Sequence, residues 1–337
     1  MFGFVWPNLE ECDWADNCLI GDERTHGDIC DEELPKLRHL STDGGFNWPM
    51  TVAKNLTTAK LEGQKDLDLA VFTEFLRRNT SLEYLELTNL TIRQSPGHRQ
   101  EASIDLPHLK ELWVKNVACD SALTLLNLPS LKRLSVSSES GEIFRLHSQW
   151  PEFCSRLSIT NLEATHYNRK NIAIAGFDGS GSRSLYFYLH SPSSRHIVTA
   201  LFRSPSNHSL SSVTSFSFIN DMPEGVITWQ QTWAICDLLK YLSRVERIRL
   251  CPNRLVTEAV RRLMVHTELC PELRELSVVV PEQVCRATVA LVGQMLKARA
   301  GGSDGWEMTM IEDIEDPSGV GEDGVEYREV TFHKEGV

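Results

Sequence analysis

Residues able to do catalytic or metal chemistry are scattered along this chain rather than grouped. Cys12, Cys18, His26 and Cys30 offer the thiolate and imidazole donors that zinc takes. Their spacing follows no common zinc module, and Cys12 falls on an apolar core position of a repeat set out below, so buried thiols are expected. The glycine-rich run FDGSGSRS (177–184) would hold a phosphate only between a strong strand and a helix. Its flanks suggest neither, and a surface loop is expected. Carboxylates crowd together in CDEELPK and IEDIED, where a run of like charge reads as a solvated face. The patterns G-x-x-x-x-G-K-[ST] and H-E-x-x-H do not occur. The sequence therefore predicts no catalytic residue, no metal, no cofactor and no enzymatic activity.

Charge narrows the partners. The formal net charge is −12, against what phosphate binding needs, so nucleic acid is not an expected partner. From residue 300 onward eleven acids face only Arg328 and Lys334, which places −9 of that charge in the last 38 residues. No apolar run reaches the ~18 residues of a membrane span. MFGFVWPNLEECDWADN lacks the basic and apolar regions of a signal peptide. The nine scattered cysteines then read as reduced thiols, and a cytoplasmic or nuclear location is expected. The sequons at Asn55, Asn79, Asn89 and Asn207 are expected to carry no sugar.

What must position any binding residues is a leucine pattern. In NTSLEYLELTNLTI (79–92), Leu82, Leu85, Leu87, Leu90 and Ile92 are spaced three, two, three and two apart. That spacing belongs neither to a helix nor to a uniform strand. It recurs in LPHLKELWVKNV (106–117), LPSLKRLSVSS (128–138) and CPELRELSVVV (270–280), with weaker copies elsewhere. Aligned on the middle apolar position, the copies place Cys12, Leu40, Ala59, Leu85, Leu112, Leu134, Leu157, Leu185, Phe216, Ile248 and Leu276 in one column, 19 to 32 residues apart. A unit of this length carrying L-x-x-L-x-L is the leucine-rich-repeat signature. The first leucine closes an incoming loop, the next two line the inner face of a short strand, and the following apolar pair turns inward again. One unit cannot bury these side chains alone, but stacked units can.

The expected fold is thus α/β: a leucine-rich-repeat solenoid with a curved parallel sheet on the concave side and irregular helices and loops on the convex side. Segments 67–79, 121–127, 226–243, 255–269 and 281–299 have helical spacing, and Pro107, Pro129 and Pro271 are read as stopping the element before each strand. The region between Leu157 and Phe216 reads as weak repeats and loops. About eleven repeats fill residues 1–299. Residues 300–337 form an acidic C-terminal segment, expected to be a cap in which 306–311 and an edge strand over 326–333 pair with the array around a disordered loop at 312–324.

Alternate residues of each strand then face the concave side. They give a partner-binding set of Tyr84, Glu86, Glu111, Trp113, Lys115, Arg133, Ser135, Arg156, Tyr186, Tyr188, Arg247 and Arg249. Tyr84 and Trp113 are expected at its centre, with Arg133 and Arg156 beside them, because outward aromatics dominate interface hot spots.

AVFTEFLRRNTSLEYLELTNLTI, followed by IDLPHLKELWVKNVACDSALTLLNLPSLKRLSVSS, resembles the repeat region of fungal F-box/leucine-rich-repeat proteins. The resemblance is clearest over residues 34–138 and extends to about 299. It implies the substrate-recognition part of a Skp–cullin–F-box ubiquitin ligase, a monomer holding a protein substrate on its concave face. The sequence departs from the family in lacking an L-P-x-E-like F-box with tryptophan-containing helices, and residue 6 already opens a repeat. A ligase adaptor is therefore expected as a partner only if an F-box lies upstream. A stand-alone leucine-rich-repeat scaffold with no ligase link is the alternative.

Overall fold

Leucines at every second position share one face only on a pleated backbone, and the strands form where that phase is strongest. The computed structural model describes residues 9–15, 36–43, 53–93, 103–119, 122–138, 153–154, 156–168, 171–190, 210–220, 238–251, 269–299, 305–314 and 327–334. The chain divides into two units, Met1–Arg156 and Leu157–Val337, and the described residues of each are mostly sheet with few helices. Among the described residues no helix is long and apolar enough to cross a membrane.

The described strands of the first unit are β1 (Glu11–Ala15), β2 (His39–Asp43), β3 (Thr58–Glu62), β4 (Leu67–Asp68), β5 (Tyr84–Thr88), β6 (Thr91–Arg93), β7 (Ile104–Asp105), β8 (Glu111–Lys115), β9 (Ala118–Cys119), β10 (Leu126–Asn127) and β11 (Arg133–Ser138). The principal sheet runs β1-β2-β3-β5-β8-β11, parallel throughout. Its register puts Cys12, Leu40, Ala59, Leu85, Leu112 and Leu134 side by side, the column read from the sequence. A second inward row holds Thr42, Leu61, Leu87, Val114 and Val136, all buried. Cys12, at the end of its row, is only half-buried.

One turn recurs before the strands. In LPHL, LPSL and CPEL the amide of the last residue donates to the carbonyl of the first: Leu109 to Leu106, Leu131 to Leu128 and Leu273 to Cys270. Pro107, Pro129 and Pro271 occupy the second position of these turns, where the fixed φ of proline is already correct. Pro107 and Pro129 make a corner rather than stop a helix: Leu106 and Leu128 each follow a two-residue strand, β7 and β10, while the segment up to residue 268 ahead of Pro271 lies outside the described residues. Past the corner, two successive amides share one carbonyl of the preceding repeat. Glu83 and Tyr84 use Thr57, Lys110 and Glu111 use Glu83, and Lys132 and Arg133 use Lys110.

A second corner follows the strands. Gly63, Asn89 and Asn116 have φ of 68, 51 and 50°, in the left-handed region that glycine and asparagine tolerate best. Their amides donate to the carbonyls of Thr88, Lys115 and Ser137 on the next strand. The turned chain brings Leu90 and Ile92 back to the core and forms small parallel ladders, β4-β6-β9 and β7-β10.

Helix α1 (Leu69–Arg78) begins where Asp68 Oδ1 accepts from the Ala70 amide at 2.7 Å. Leu69, Phe72, Phe75 and Leu76 are buried along one stripe, each stabilising by ~1.5–3 kcal/mol. Asn79, fully buried, caps the far end: its Nδ2 donates to the Phe75 and Ala53 carbonyls, and its Oδ1 accepts from the Leu56 amide. The 121–127 segment forms a 3₁₀ turn, Ala122–Leu125, followed by β10.

In the second unit the described strands are β12 (Asn161–Asn168), β13 (Asn171–Phe177), β14 (Arg183–His190), β15 (Ser215–Asn220), β16 (Arg247–Leu250), β17 (Glu275–Pro281), β18 (Trp306–Ile314) and β19 (Tyr327–Lys334), ordered β14-β13-β12-β15-β16-β17-β19-β18. β12, β15, β16 and β17 are mutually parallel, whereas β12-β13-β14 is an antiparallel meander. The sequence reads 166–184, which holds β13, as a loop and 182–189, most of β14, as a weak repeat around Leu185, and it places Leu157 on the core column. The structure instead aligns Leu162 with Phe216, Ile248 and Leu276, and Leu157 is buried ahead of the strand. The meander continues the row through Gly176 to Leu185. A Cβ at Gly176 would stand 2.9 Å from Leu185 Cβ, so only glycine passes there.

Helix α2 (Glu282–Arg299) follows β17 within the expected 281–299 segment. Of the 226–243 segment only 238–243 are described, where a helical Leu238 leads into a 3₁₀ turn, Leu239–Tyr241, and 255–268 lies outside the described residues. The two C-terminal strands pair antiparallel, with β19 between β17 and β18. The edge position thus belongs to β18, not to the later strand, because Val330, Thr331 and Phe332 bury both faces of β19. Strand β18 also runs to Ile314, into the stretch expected to be a free loop, whose remainder lies outside the described residues.

Candidate functional site

Opposite its leucine rows, the sheet of the first unit presents rows of alternate residues. One row is Glu11, His39, Thr58, Tyr84, Glu111 and Arg133; the next is Asp13, Ser41, Lys60, Glu86, Trp113 and Ser135. The inward leucines fix this phase, since a slip of one residue would exchange the faces. Leu112 and Val114 are buried, and Trp113 between them is 42% exposed. Glu86, Glu111 and Ser135 are half-buried, Lys115 and Arg133 exposed.

Trp113 and Tyr84 lie diagonally on adjacent strands, ring centroids 6.5 Å apart and tilted by 34°. The Tyr84 hydroxyl donates to Glu86 Oε2 at 2.7 Å. Burial first, then the hydrogen bond to Glu86 and the charges of Glu86 and Glu111, push the Tyr84 phenol well above its ordinary range, so it stays a donor. Lys60 Nζ sits 5.8 Å from the centre of the Tyr84 ring and 3.8 Å from Glu86 Oε2. Arg133 Nη1 pairs with Glu111 Oε1 at 3.0 Å. The aromatic pair is thus framed by two carboxylates, each with a cation on its far side.

Arg156 does not join this patch. It precedes the strand expected to carry it, and both terminal nitrogens donate to Asn127 Oδ1 at 3.3 Å, in the β10 connection outside the principal sheet.

The second unit places its expected residues differently. Tyr186 and Tyr188 on β14 stand opposite Ala175 and Ala173, whose small side chains leave room for the rings. The Arg183 guanidinium lies 5.1 Å from the Tyr186 ring centre, and Asn171 Nδ2 donates to the Tyr188 oxygen at 2.8 Å. Arg247 is exposed on the Ser215–Arg247–Glu275 row. Arg249 makes a fork with Glu329, Nε to Oε1 and Nη2 to Oε2, both 3.1 Å. That hydrogen bond raises the arginine pKa further. No local pattern announced Glu329, which lies 80 residues away in sequence. Ser277, on the face that carries Arg249, is buried with its hydroxyl 2.8 Å from Thr331 Oγ1. Arg249 and Ser277 therefore hold the C-terminal strands in place.

The FDGSGSRS run is the β13–β14 hairpin turn. Asp178 Oδ1 accepts from the Ser180 and Ser182 amides at 2.9 and 3.0 Å, and from the Ser180 hydroxyl at 2.6 Å. Amides that a phosphate would need are thus taken by a carboxylate. Cys18, His26 and Cys30 lie outside the described residues, and among the described residues no group of three or more His, Cys, Asp or Glu is arranged to hold a metal. No family model and no curated protein sequence matches this chain.

Proposed function

We propose that this chain is a protein-binding leucine-rich-repeat solenoid that recognises its partner on the strand face centred on Trp113 and Tyr84. The observation that carries this reading is the exposed tryptophan between buried Leu112 and Val114. An ordinary soluble sheet face does not need a large apolar ring there, whereas interfaces use such rings as anchors. The aligned column from Cys12 to Leu134, repeated turns before the strands and left-handed corners after them support the repeat assignment.

Within that reading, and on the resemblance of residues 34–138 to fungal F-box/leucine-rich-repeat proteins, the chain is the substrate-recognition part of a Skp–cullin–F-box ubiquitin ligase. It acts without cofactor or catalytic group of its own, in the cytoplasm or nucleus, as a monomer. Affinity capture of the full-length gene product from its own cells tests both levels. Co-capture of Skp and cullin subunits is the expected result. A stable partner lost on Trp113→Ala, with no ligase subunit present, would leave the stand-alone scaffold in its place.

A further inference from the structure

Resting on the proposed protein-binding face, we propose that its occupant is a basic, arginine-bearing peptide segment of the partner, with one guanidinium stacked on Trp113. Charge and ring geometry point the same way. The outward rows of the first unit carry Glu11, Asp13, Asp43, Glu62, Glu86 and Glu111 against Lys60, Lys115 and Arg133, six carboxylates to three cations. The excess lies on the β1–β5 side, so the face has an acidic flank that leads up to the aromatic pair. An extended basic segment entering over β1–β3 would place successive cations near Asp13, Asp43 and Glu62 before meeting Trp113.

At Trp113 the surroundings suit a planar cation. Its ring is 42% exposed, Glu86 is its direct neighbour on β5, and Glu111 precedes it by two residues on β8. Arginine stacks on aromatic faces while its fork engages a carboxylate, which an ammonium does less well. Tyr84 supports this arrangement by donating to Glu86 Oε2 and leaving Oε1 for a ligand. A cation already uses the pair on its other side, Lys60 near the Tyr84 ring. An acidic segment would instead meet the carboxylate excess, and a purely apolar one would leave Glu86 and Glu111 desolvated against it.

The probe is a fluorescent (Gly-Arg-Ser)4 peptide, compared with its citrulline counterpart, which keeps the shape and loses the charge. Anisotropy titrations use the full chain, Trp113→Ala and Glu86→Gln, each first checked by thermal melting. The arginine peptide is expected to bind the wild type, about tenfold or more weaker to Trp113→Ala, as for an interface anchor, and several-fold weaker to Glu86→Gln. The citrulline peptide should bind no better than Trp113→Ala binds arginine. Equal binding to wild type and Trp113→Ala would mean diffuse attraction to an acidic protein, and the proposal falls. Random 12-residue peptides displayed on phage, panned on wild type and counter-selected on Trp113→Ala, separate the two levels. Selected sequences without basic residues overturn the arginine assignment and keep the binding face. Failure to select any sequence overturns both.

Discussion

Asn116 donates from Nδ2 to Asn89 Oδ1 at 3.2 Å, joining the corners of two repeats whose sequence positions differ by 27. Both asparagines have φ near +50°, a conformation costing most residues ~1–2 kcal/mol. Asn89→Ala should therefore lose about 1–2 kcal/mol in urea unfolding, while Asn89→Gly stays within about 0.5 kcal/mol of wild type. Equal losses for both would mean that the side-chain ladder, not the backbone corner, holds the turn.

Asn79 is the stronger tie. Its three buried hydrogen bonds satisfy the Leu56 amide and the Ala53 and Phe75 carbonyls. Asn79→Ala leaves these groups unpaired and should cost about 2–4 kcal/mol, far above a typical surface change. Denaturation midpoints that matched wild type at unchanged m would mean that the Leu56 turn finds other partners.

The contrast between Leu134 and Leu157 shows how far the sequence could be read. Leu134 was legible because Leu131, Leu134 and Val136 are all large and no other phase fits. At the start of the second unit the true unit is Ile159, Leu162 and Ala164, and the small third member weakens the pattern. Leu157 and Ile159, two apart and both buried, offer a stronger local match five residues early. In the meander, Ala173 and Ala175 are buried along with Ile172 and Ile174, so β13 lacks the period-two contrast. The outward phase of Tyr84 and Trp113 was legible because Leu85, Leu87, Leu112 and Val114 around them are unambiguously inward. The Arg249–Glu329 fork was invisible, since antiparallel pairing of a distant strand brings its partners together.

Cys154 is fully buried, and burial pushes its thiol from 9.0 up to about 12. The raised value means that folding favours the protonated form. Its contribution is intact below pH 9 and is lost as pH rises through about 12. Stability should thus fall across that window, with a slope of at most about 1.4 kcal/mol per pH unit from this group. Cys154→Ala should flatten the slope while lowering the plateau. Iodoacetamide at pH 8 should leave Cys154 unmodified in the native protein and label it in urea. Rapid native labelling would contradict the burial.

Thr42 is a place where the chain falls short of its own pattern. It occupies the inward row beside Leu61, and its buried hydroxyl has no hydrogen-bond partner among the described residues. Thr42→Val keeps the branched shape and removes an unsatisfied donor. It should stabilise by about 1 kcal/mol. A loss of stability instead would show that the hydroxyl is satisfied in solution.

The C-terminal strands should behave as part of the second unit rather than as an appendage. β19 pairs along β17 from Glu275 to Pro281, and its Val330 and Phe332 are buried. Deleting residues 304–337 removes the partner of a strand whose Val278, Val279 and Val280 are all buried. It also strips Arg249 of Glu329 and Ser277 of Thr331. A sheet with such an apolar end exposed aggregates or melts early. The truncated chain should therefore precipitate, or melt well below the full chain. Glu329→Gln is the milder companion: Arg249 is part-exposed, so solvent screening holds the loss to about 1 kcal/mol, or ~2–4 °C in Tm for a unit of this size. A truncated chain that stays soluble and melts with the full one would show that these strands extend the sheet without stabilising it.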